Sequence, residues 1–337
     1  MTEPRTEIVA QELTNDAQLA EIAAHSAKRN PVAPNKTAAG ISKMTMAEYL
    51  ALQAFSSGMA HRILTQSPAH AWIDSPWNPD REQDNNAASD LGTVAHDVLL
   101  EGGTGIIERI DPNDFPAEKT GAIPAGWTNK AIRAARDAAR AAGKIPLFPA
   151  DVDAVTAMVE SARAYIATSE LAGVFNTGAA EQTVIWQEGA TLCKSRPDWL
   201  NADVCLHVKT TKRSVNPPSF ERMAVNLGYD VSIAFYARGI ERENHLILAI
   251  EQEPPYACKL FGLSNAQADI SARKVERAIN TWAACMKSGE FPAYDGSVHY
   301  IEPTSWQMEQ ALQNGDLDEL NWSEKVDPLQ EKYGVQI

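Results

Sequence analysis

Apolar and polar residues alternate with two different periods along the chain, and the period changes near residue 180. Before that point apolar residues recur at intervals of three and four, which predicts helices, among them one over 127–143 and one over 150–168. From residue 181 three segments alternate with a period of two and contain β-branched residues: 181–187, 192–200 and 203–211. This pattern predicts three antiparallel strands.

The helical period returns after these strands. Residues 219–242 predict a helix pair or one bent helix, 245–263 predict two further strands around Pro254-Pro255, and 265–289 predict a long amphipathic helix. The order of elements is helices, a strand meander, and then more helices and strands. This order predicts an α/β or α+β fold in which helices flank a mixed central β-sheet.

Prolines and small polar residues set the expected limits of the compact domain. Residues 1–29 are compatible with a helix around "NDAQLAEIAAHSAKR", and 30–43 contain two prolines and have the composition of a linker. We therefore predict an N-terminal extension and linker over 1–44, one domain over 45–303, and an acidic C-terminal tail over 304–337.

Composition and charge exclude some classes of protein. The net charge of −14 argues against a protein that coats nucleic acid electrostatically, but it allows a local basic groove. No apolar run approaches the roughly 18–20 residues that span a bilayer, and the polar N-terminus lacks the pattern of a signal peptide. The four cysteines are scattered without a C-x-x-C, which gives no support for a zinc or iron–sulfur cluster or for a disulfide framework. These features predict a reduced, cytoplasmic protein.

Residues with metal and phosphate chemistry stand where the predicted strands begin or end. His207 and Lys209 share one face of their strand because they are two apart, and the other face is apolar. Asp198 ends the preceding strand, and Glu181 begins the strand before that. Phosphodiester hydrolysis needs a divalent cation held by oxygen ligands, an activated water and a positive charge near the phosphate. These residues supply such groups, but polar residues also occur simply where a strand leaves a core, and periodicity leaves both interpretations open.

Seven motifs follow one another in the predicted domain. They are "YLALQAFSSGMAHRILTQSPAHAW", "LGTVAHDVLLEGG", "EQTVIWQEGATLCKSRPDWL", "VKTT", "GYDVSIAFYARGI", "EQEPPYA" and "SGEFPAYDG". Their order and spacing resemble the PD-(D/E)xK nuclease superfamily, and more specifically the exodeoxyribonuclease VIII (RecE-type) nuclease domain of phages and prophages. The resemblance covers residues 45–303 and implies a restriction-endonuclease-like core.

The resemblance also implies roles for individual residues. His96 matches the histidine of the family's G-T-x-x-H helix, Glu181 its first acid, and Asp198 the metal-holding aspartate of R-P-D. Lys209 matches the lysine of D-x-K, and Tyr236 the tyrosine of the helix after the sheet. Catalytic roles for Lys209, Glu181, His96 and Tyr236 are therefore expected, with Mg²⁺ or Mn²⁺ as the cofactor, held by Asp198, Glu181 and His96.

Two residues depart from the family's pattern. His207 stands in place of the D-x-K carboxylate, and Ser232 in place of the glutamine of a Q-x-x-x-Y helix. Imidazole is a poor ligand for Mg²⁺, whereas Mn²⁺ accepts nitrogen more readily. His207 is therefore either a variant metal ligand or the mark of a site that has lost turnover. Glu188 and Asp203 are nearby in sequence, but strand rise places Asp203 about 13 Å from His207.

A basic stripe offers a surface for the DNA backbone. Lys130, Arg133, Arg136 and Arg140 fall on one side of the predicted helix at 100° per residue. Such a stripe is often only a solvated helix face, and both interpretations stay open. Arg196, which precedes Pro197 and Asp198, is a further candidate for DNA binding.

The resemblance finally implies an activity and partners. It implies a metal-dependent deoxyribonuclease that digests double-stranded DNA ends from 5′ to 3′ and exposes single strands for recombination. It also implies a ring-shaped homo-oligomer, a RecT-type single-strand annealing protein as partner, and no membrane. The alternative is a protein that keeps the fold, has a decayed metal site, and binds DNA or a host or phage partner.

Overall fold

A computed structural model describes residues 36–81, 90–103, 105–242 and 244–316. The helices are α1 (Met46–Ala51), α2 (Ser57–Thr65), α3 (Pro68–Ile73), α4 (Asp90–Leu100), α5 (Lys130–Ala141), α6 (Pro149–Ala167), α7 (Pro217–Asn226), α8 (Tyr229–Gly239), α9 (Asn265–Ser288) and α10 (Ser305–Asn314). The strands are β1 (Lys36–Lys43), β2 (Ile107–Arg109), β3 (Ile145–Leu147), β4 (Ala179–Ala180), β5 (Gln182–Glu188), β6 (Thr191–Ser195), β7 (Trp199–Leu200), β8 (Val204–Thr211), β9 (Asn244–Glu251) and β10 (Cys258–Gly262).

The central sheet has five strands in the order β10-β9-β8-β7-β4. Its strands β8 and β9 run parallel, and the other neighbouring pairs are antiparallel. This arrangement confirms the predicted fold class, a mixed sheet flanked by helices. A second sheet has the order β1-β5-β6, and β2 pairs with β3 in parallel.

The predicted three-stranded meander is divided between the two larger sheets. The hairpin of β5 and β6 belongs to the second sheet, whereas β7 and β8 belong to the central sheet. The chain passes from one to the other over residues 196–198. Pro197 lies in this passage and has no N–H to donate to a strand ladder, which is why pairing stops there.

Strand β8 is buried on both faces. Leu206 and Val208 pack in one core cluster with residues of α4 and α6, such as Val94 and Met158. Cys205 packs in a second cluster with residues of α8 and α9. Trp186 and Trp199 are both buried, as the sequence predicted for core aromatics. The site described below lies at the C-terminal half of this central strand.

Two segments differ from the predicted domain limits. Residues 36–43, placed in a linker, form β1 and pair antiparallel with β5, so the linker interpretation is wrong there. Residues 305–314, placed in the acidic tail, form α10, which Thr304 and Gln307 start with a capping box. The helix predicted within 1–29 and the end of the tail lie outside the described residues.

The described residues fall into two compact units, one ending at Ala293 and the other beginning at Tyr294. The first unit contains the sheets and helices α1 to α9. The predicted helix pair over 219–242 is α7 followed by α8, and they are separated at Gly228, whose φ of +71° favours glycine. Among the helices that the structure describes, none is long and apolar enough to cross a membrane.

Candidate metal centre and phosphate site

Glu181 and Asp198 leave the central sheet side by side. Their neighbours Ala180 and Trp199 are paired between β4 and β7, and the Glu181 N–H donates to the Asp198 carbonyl at 3.2 Å. Glu181 has a φ of +55°, a left-handed conformation that costs free energy in a residue with a side chain. The surrounding pairing holds this conformation, and the two carboxylates consequently point into one site.

The Asp198 carboxylate contacts two elements, β8 and α4. Its Oδ2 accepts the Val208 N–H at 2.6 Å and lies 3.6 Å from Nζ of Lys209, both on β8. Its Oδ1 lies 3.3 Å from Nε2 of His96 on α4. Burial by itself would raise the pKa of Asp198, but the charges of Lys209 and His96 hold it well below its usual range. Asp198 therefore stays ionised at neutral pH.

His96 completes the group from the other side. Its Nε2 lies 3.4 Å from Oε1 of Glu181 as well as 3.3 Å from Asp198. Burial opposes a charge on this imidazole, yet the hydrogen bond to Asp198 and the two carboxylate charges leave its pKa raised. Helix α4 can approach β8 closely because residue 92 is glycine; a Cβ there would lie 2.8 Å from Oγ1 of Thr210.

Arg196 holds Glu181 and the backbone at Met44. Its Nε donates to Oε2 of Glu181, and its Nη1 donates to the Met44 carbonyl at 2.7 Å. Only 10% of the side chain is exposed, so Arg196 positions Glu181, and the DNA-binding role expected for Arg196 stays a prediction. Burial raises the pKa of Glu181, against the lowering effect of this guanidinium.

Tyr236 contacts the backbone of Arg196. Its hydroxyl donates to the Arg196 carbonyl at 3.3 Å, and its ring contacts His207. Burial raises its pKa well above the usual value, so it keeps its proton. Tyr236 fixes the backbone that carries Arg196, and its expected catalytic role stays a prediction. Ser232 lies one turn earlier on the same helix, α8.

His207 does not join the group formed by His96, Glu181 and Asp198. It is 4% exposed, and its ring packs edge-on against Tyr236 with centroids 4.7 Å apart. Burial lowers its pKa to about 3, so the imidazole is neutral and does not repel a cation. The structure groups it instead with Cys205 and His245, and its expected role as a ligand of the same ion stays a prediction.

Neither Glu188 nor Asp203 takes the place of the D-x-K carboxylate that His207 replaces. Glu188 is buried in a structural contact with Arg238 and with Nε1 of Trp186. Asp203 is exposed at the start of β8, at the far end of that strand from Lys209.

The basic stripe lies on α5 as predicted, but some of its side chains already form ion pairs or hydrogen bonds within the protein. Arg140 pairs with Asp90, the first residue of α4, at 3.0 Å, and Arg136 pairs with Asp137. Arg133 donates to the Thr128 carbonyl. Lys130 is exposed at the helix start. The stripe is thus attached to the helix that carries His96, and its contact with DNA stays a prediction.

The residues present fit a divalent cation. Ligand atoms of His96, Glu181 and Asp198 all lie within 4.8 Å of one another. Two carboxylates and one imidazole suit Mn²⁺ better than Mg²⁺, which prefers oxygen ligands alone. Lys209 and Arg196 balance the two carboxylate charges, so the site holds a cation less strongly than one with a third acid would.

A mixed sheet flanked by helices, with two carboxylates and a lysine on the neighbouring strands β4, β7 and β8 or directly beside them, defines the PD-(D/E)xK-like class. The family model described as "PDDEXK-like domain of unknown function (DUF3799)" matches residues 62–304, and the chain belongs to this family. No curated protein matches the chain by sequence. Among solved structures, the chain is similar to a candidate exonuclease from Eubacterium rectale, with 10% identity and a TM-score of 0.48; the match covers 80% of this chain and 99% of that chain.

Sequence reasoning missed the grouping of Cys205, His207 and His245. The alternation of β8 places Cys205 and His207 on one face, but His245 lies in a strand 38 residues further on. Only the parallel register of β8 and β9, which puts Cys205 opposite His245, brings them together.

Proposed function

We propose that this protein is a divalent-metal-dependent deoxyribonuclease. The observation that carries the proposal is the convergence of His96, Glu181 and Asp198, with Lys209 3.6 Å from Asp198. A bound divalent cation would polarise the scissile phosphate and lower the pKa of a coordinated water. Asp198, Glu181 and His96 would hold the cation.

Lys209 has the position of a charge-stabilising residue. Its side chain is 34% exposed and thus reaches solvent as well as the Asp198 carboxylate. The ammonium is a compact charge on a flexible stem, able to stabilise the negative charge that develops on a phosphate during hydrolysis. Asp198 orients it, and the backbone of β8 fixes Asp198 through the Val208 N–H.

The finer proposal is a cytoplasmic exonuclease that digests duplex ends from 5′ to 3′ for recombination. It is supported by the order of the seven motifs, which resembles exodeoxyribonuclease VIII. The same resemblance supports duplex DNA ends as substrate, a homo-oligomeric ring and a RecT-type annealing protein as partner.

The test is a nuclease assay with purified protein on linear duplex DNA, in Mg²⁺ and in Mn²⁺. We expect degradation of linear but not of covalently closed circular duplex, earlier loss of a 5′ than of a 3′ end label, and more activity with Mn²⁺. Asp198→Ala is the negative control. Degradation that is unchanged in Asp198→Ala, or its absence with both ions, contradicts the proposal.

One observation favours a second function, DNA binding without cleavage. His207 supplies no oxygen at the D-x-K position and is buried against Tyr236. In that case linear duplex would bind with an affinity that falls as salt rises, with no degradation in either ion.

A further inference from the structure

A second group of side chains with possible metal ligands lies on the face of β8 that packs against α8. Cys205 and His207 are two apart on β8, and His245 lies opposite Cys205 on the parallel strand β9. One ligand atom from each of the three lies within 4.8 Å of the other two. Cys205 is completely buried, and His207 is 4% exposed.

The spacing fits an ion between the side chains. Sγ of Cys205 and Nε2 of His207 are 3.8 Å apart. Bond lengths of zinc to sulfur and nitrogen at a tetrahedral angle give a separation of about 3.6 Å. The two atoms therefore need to move only slightly to share one ion.

His245 has a nitrogen left for a ligand. Its Nε2 contacts the Ile240 carbonyl at 3.0 Å, whereas its Nδ1 is buried and has no hydrogen-bond partner among the described residues. Buried polar atoms are nearly always satisfied, so an unpartnered imidazole nitrogen beside a cysteine and a second histidine calls for an explanation. A bound metal would satisfy it.

We propose that Cys205, His207 and His245 bind one thiophilic metal ion, Zn²⁺ or Cu⁺, between β8 and β9. Thiolate and imidazole together select these soft or borderline ions over Mg²⁺ and Ca²⁺. The Cys205 thiol loses its proton to solvent as the metal–sulfur bond forms, so each bound ion releases one proton.

Charge and access also suit such an ion. Burial keeps both imidazoles neutral at neutral pH, with their lone pairs available. The thiolate neutralises the charge of Cu⁺. With Zn²⁺ one positive charge remains, and the negative charge of the ionised Asp198, which acts on Cys205 and His207, offsets it. The residue His245 is only partly buried, so the group lies close to the surface. The proposal does not depend on nuclease activity.

The experiment is a metal titration of the full chain after chelation and reduction. Zn²⁺ and Cu⁺ are titrated separately under anaerobic conditions against competing chelators, and Co²⁺ is used as the spectroscopic probe. We expect one equivalent of ion bound, a thiolate-to-cobalt charge-transfer band, and retention of the ion in excess Mg²⁺. The ion that outcompetes the stronger chelator identifies the metal.

Variants locate the site. Cys205→Ala removes the charge-transfer band, and His245→Gln weakens binding by at least about tenfold. Cys285→Ala, at a buried cysteine in α9, leaves binding unchanged. His245 is partly exposed, so His245→Gln decides the matter if Cys205→Ala fails to fold. A charge-transfer band that persists in Cys205→Ala, binding that is unaffected in His245→Gln, or no stoichiometric binding overturns the proposal.

Discussion

Asp198 is the residue on which the geometry of the candidate nuclease site depends most. Its two carboxylate oxygens contact a backbone N–H of the central strand, the ammonium of Lys209 and the imidazole of His96. The neighbouring Pro197 interrupts strand pairing, and the carboxylate of Asp198 takes the N–H that the ladder would otherwise use. Asp198 thus satisfies a backbone N–H of β8 and is also a candidate ligand of the metal ion.

Asp198→Asn should separate these two roles. The amide retains an oxygen for the Val208 N–H, so we expect the thermal midpoint to fall by only a few degrees. The lost negative charge removes a metal ligand and the partner of Lys209, so we expect duplex cleavage to fall by at least about 100-fold. Asp203→Asn, at an exposed position, is the matched control. Cleavage that is retained in Asp198→Asn, or that falls equally in Asp203→Asn, would contradict this role.

His207→Asp should change the preferred cation. An aspartate restores an oxygen donor and one negative charge beside Asp198. We therefore expect a lower thermal midpoint without ion, a larger stabilisation by Mg²⁺ than in the wild type, and more cleavage with Mg²⁺. His207→Asn has the same size without the charge and serves as the control. Identical Mg²⁺ responses in the two variants would show that position 207 does not reach the cation.

At the scale of elements, the packing of α4 on β8 places His96 against the two acids. Gly92→Ala puts a Cβ too close to Oγ1 of Thr210 and should push α4 outwards. We expect loss of cleavage larger than the loss of stability, measured by nuclease assay and thermal melting. Gly58→Ala in α2, where a Cβ has room, should instead stabilise by about 0.5–1 kcal/mol. If Gly92→Ala with Thr210→Ala stays as inactive as Gly92→Ala, steric displacement is not the cause.

Helix α5 carries the predicted DNA-binding stripe. Lys130→Gln with Arg133→Gln should weaken binding to duplex DNA equally for all sequences and should make the dependence of affinity on salt less steep, because two phosphate contacts are lost. Fluorescence anisotropy of labelled duplex at several salt concentrations measures both. Lys287→Gln, on α9, is the control. Equal salt slopes in the double variant and the control would show that the stripe is only a solvated face.

Most elements were predictable from the sequence, because the spacing of apolar residues within a segment shows whether a helix or a strand would bury them on one face. Helices α5, α6 and α9 and strands β9 and β10 lie within a few residues of their predicted positions. The division of the meander between two sheets was not predicted, since period-two alternation does not say which strand is the neighbour. Strand β1 was missed because prolines at 31 and 34 gave its surroundings the composition of a linker.

The site was predictable only in part, for reasons that appear at the scale of the whole molecule. Glu181 follows β4, Asp198 precedes β7 and Lys209 lies on β8. These strands are neighbours in the central sheet, and local patterning with the resemblance predicted that the three residues lie together. The inward role of Arg196 depends on contacts with Met44, 152 residues away. Likewise, the neighbours of His207 are set by the parallel crossover from β8 to β9 through α7 and α8. Neither long-range contact leaves a signal in a single sequence.

The overall charge of −14 disfavours binding of DNA by the molecular surface as a whole, so the proposed DNA contacts require a local basic surface. The site itself is nearly balanced, because Lys209 and Arg196 offset Asp198 and Glu181. Binding of a divalent cation should therefore be weak before DNA arrives, and the phosphates of the substrate should strengthen it.

The most direct test measures bound Mn²⁺ and DNA cleavage in the same samples. Free Mn²⁺ is followed by electron paramagnetic resonance while the ion is titrated into wild-type protein, Asp198→Ala and Glu181→Gln, with and without linear duplex. We predict that wild-type protein binds Mn²⁺ more tightly with DNA and cleaves it in proportion to occupancy, and that both variants lose binding and cleavage together. Cleavage without Mn²⁺ bound, or Mn²⁺ binding unchanged in both variants, would contradict a metal centre formed by Asp198 and Glu181.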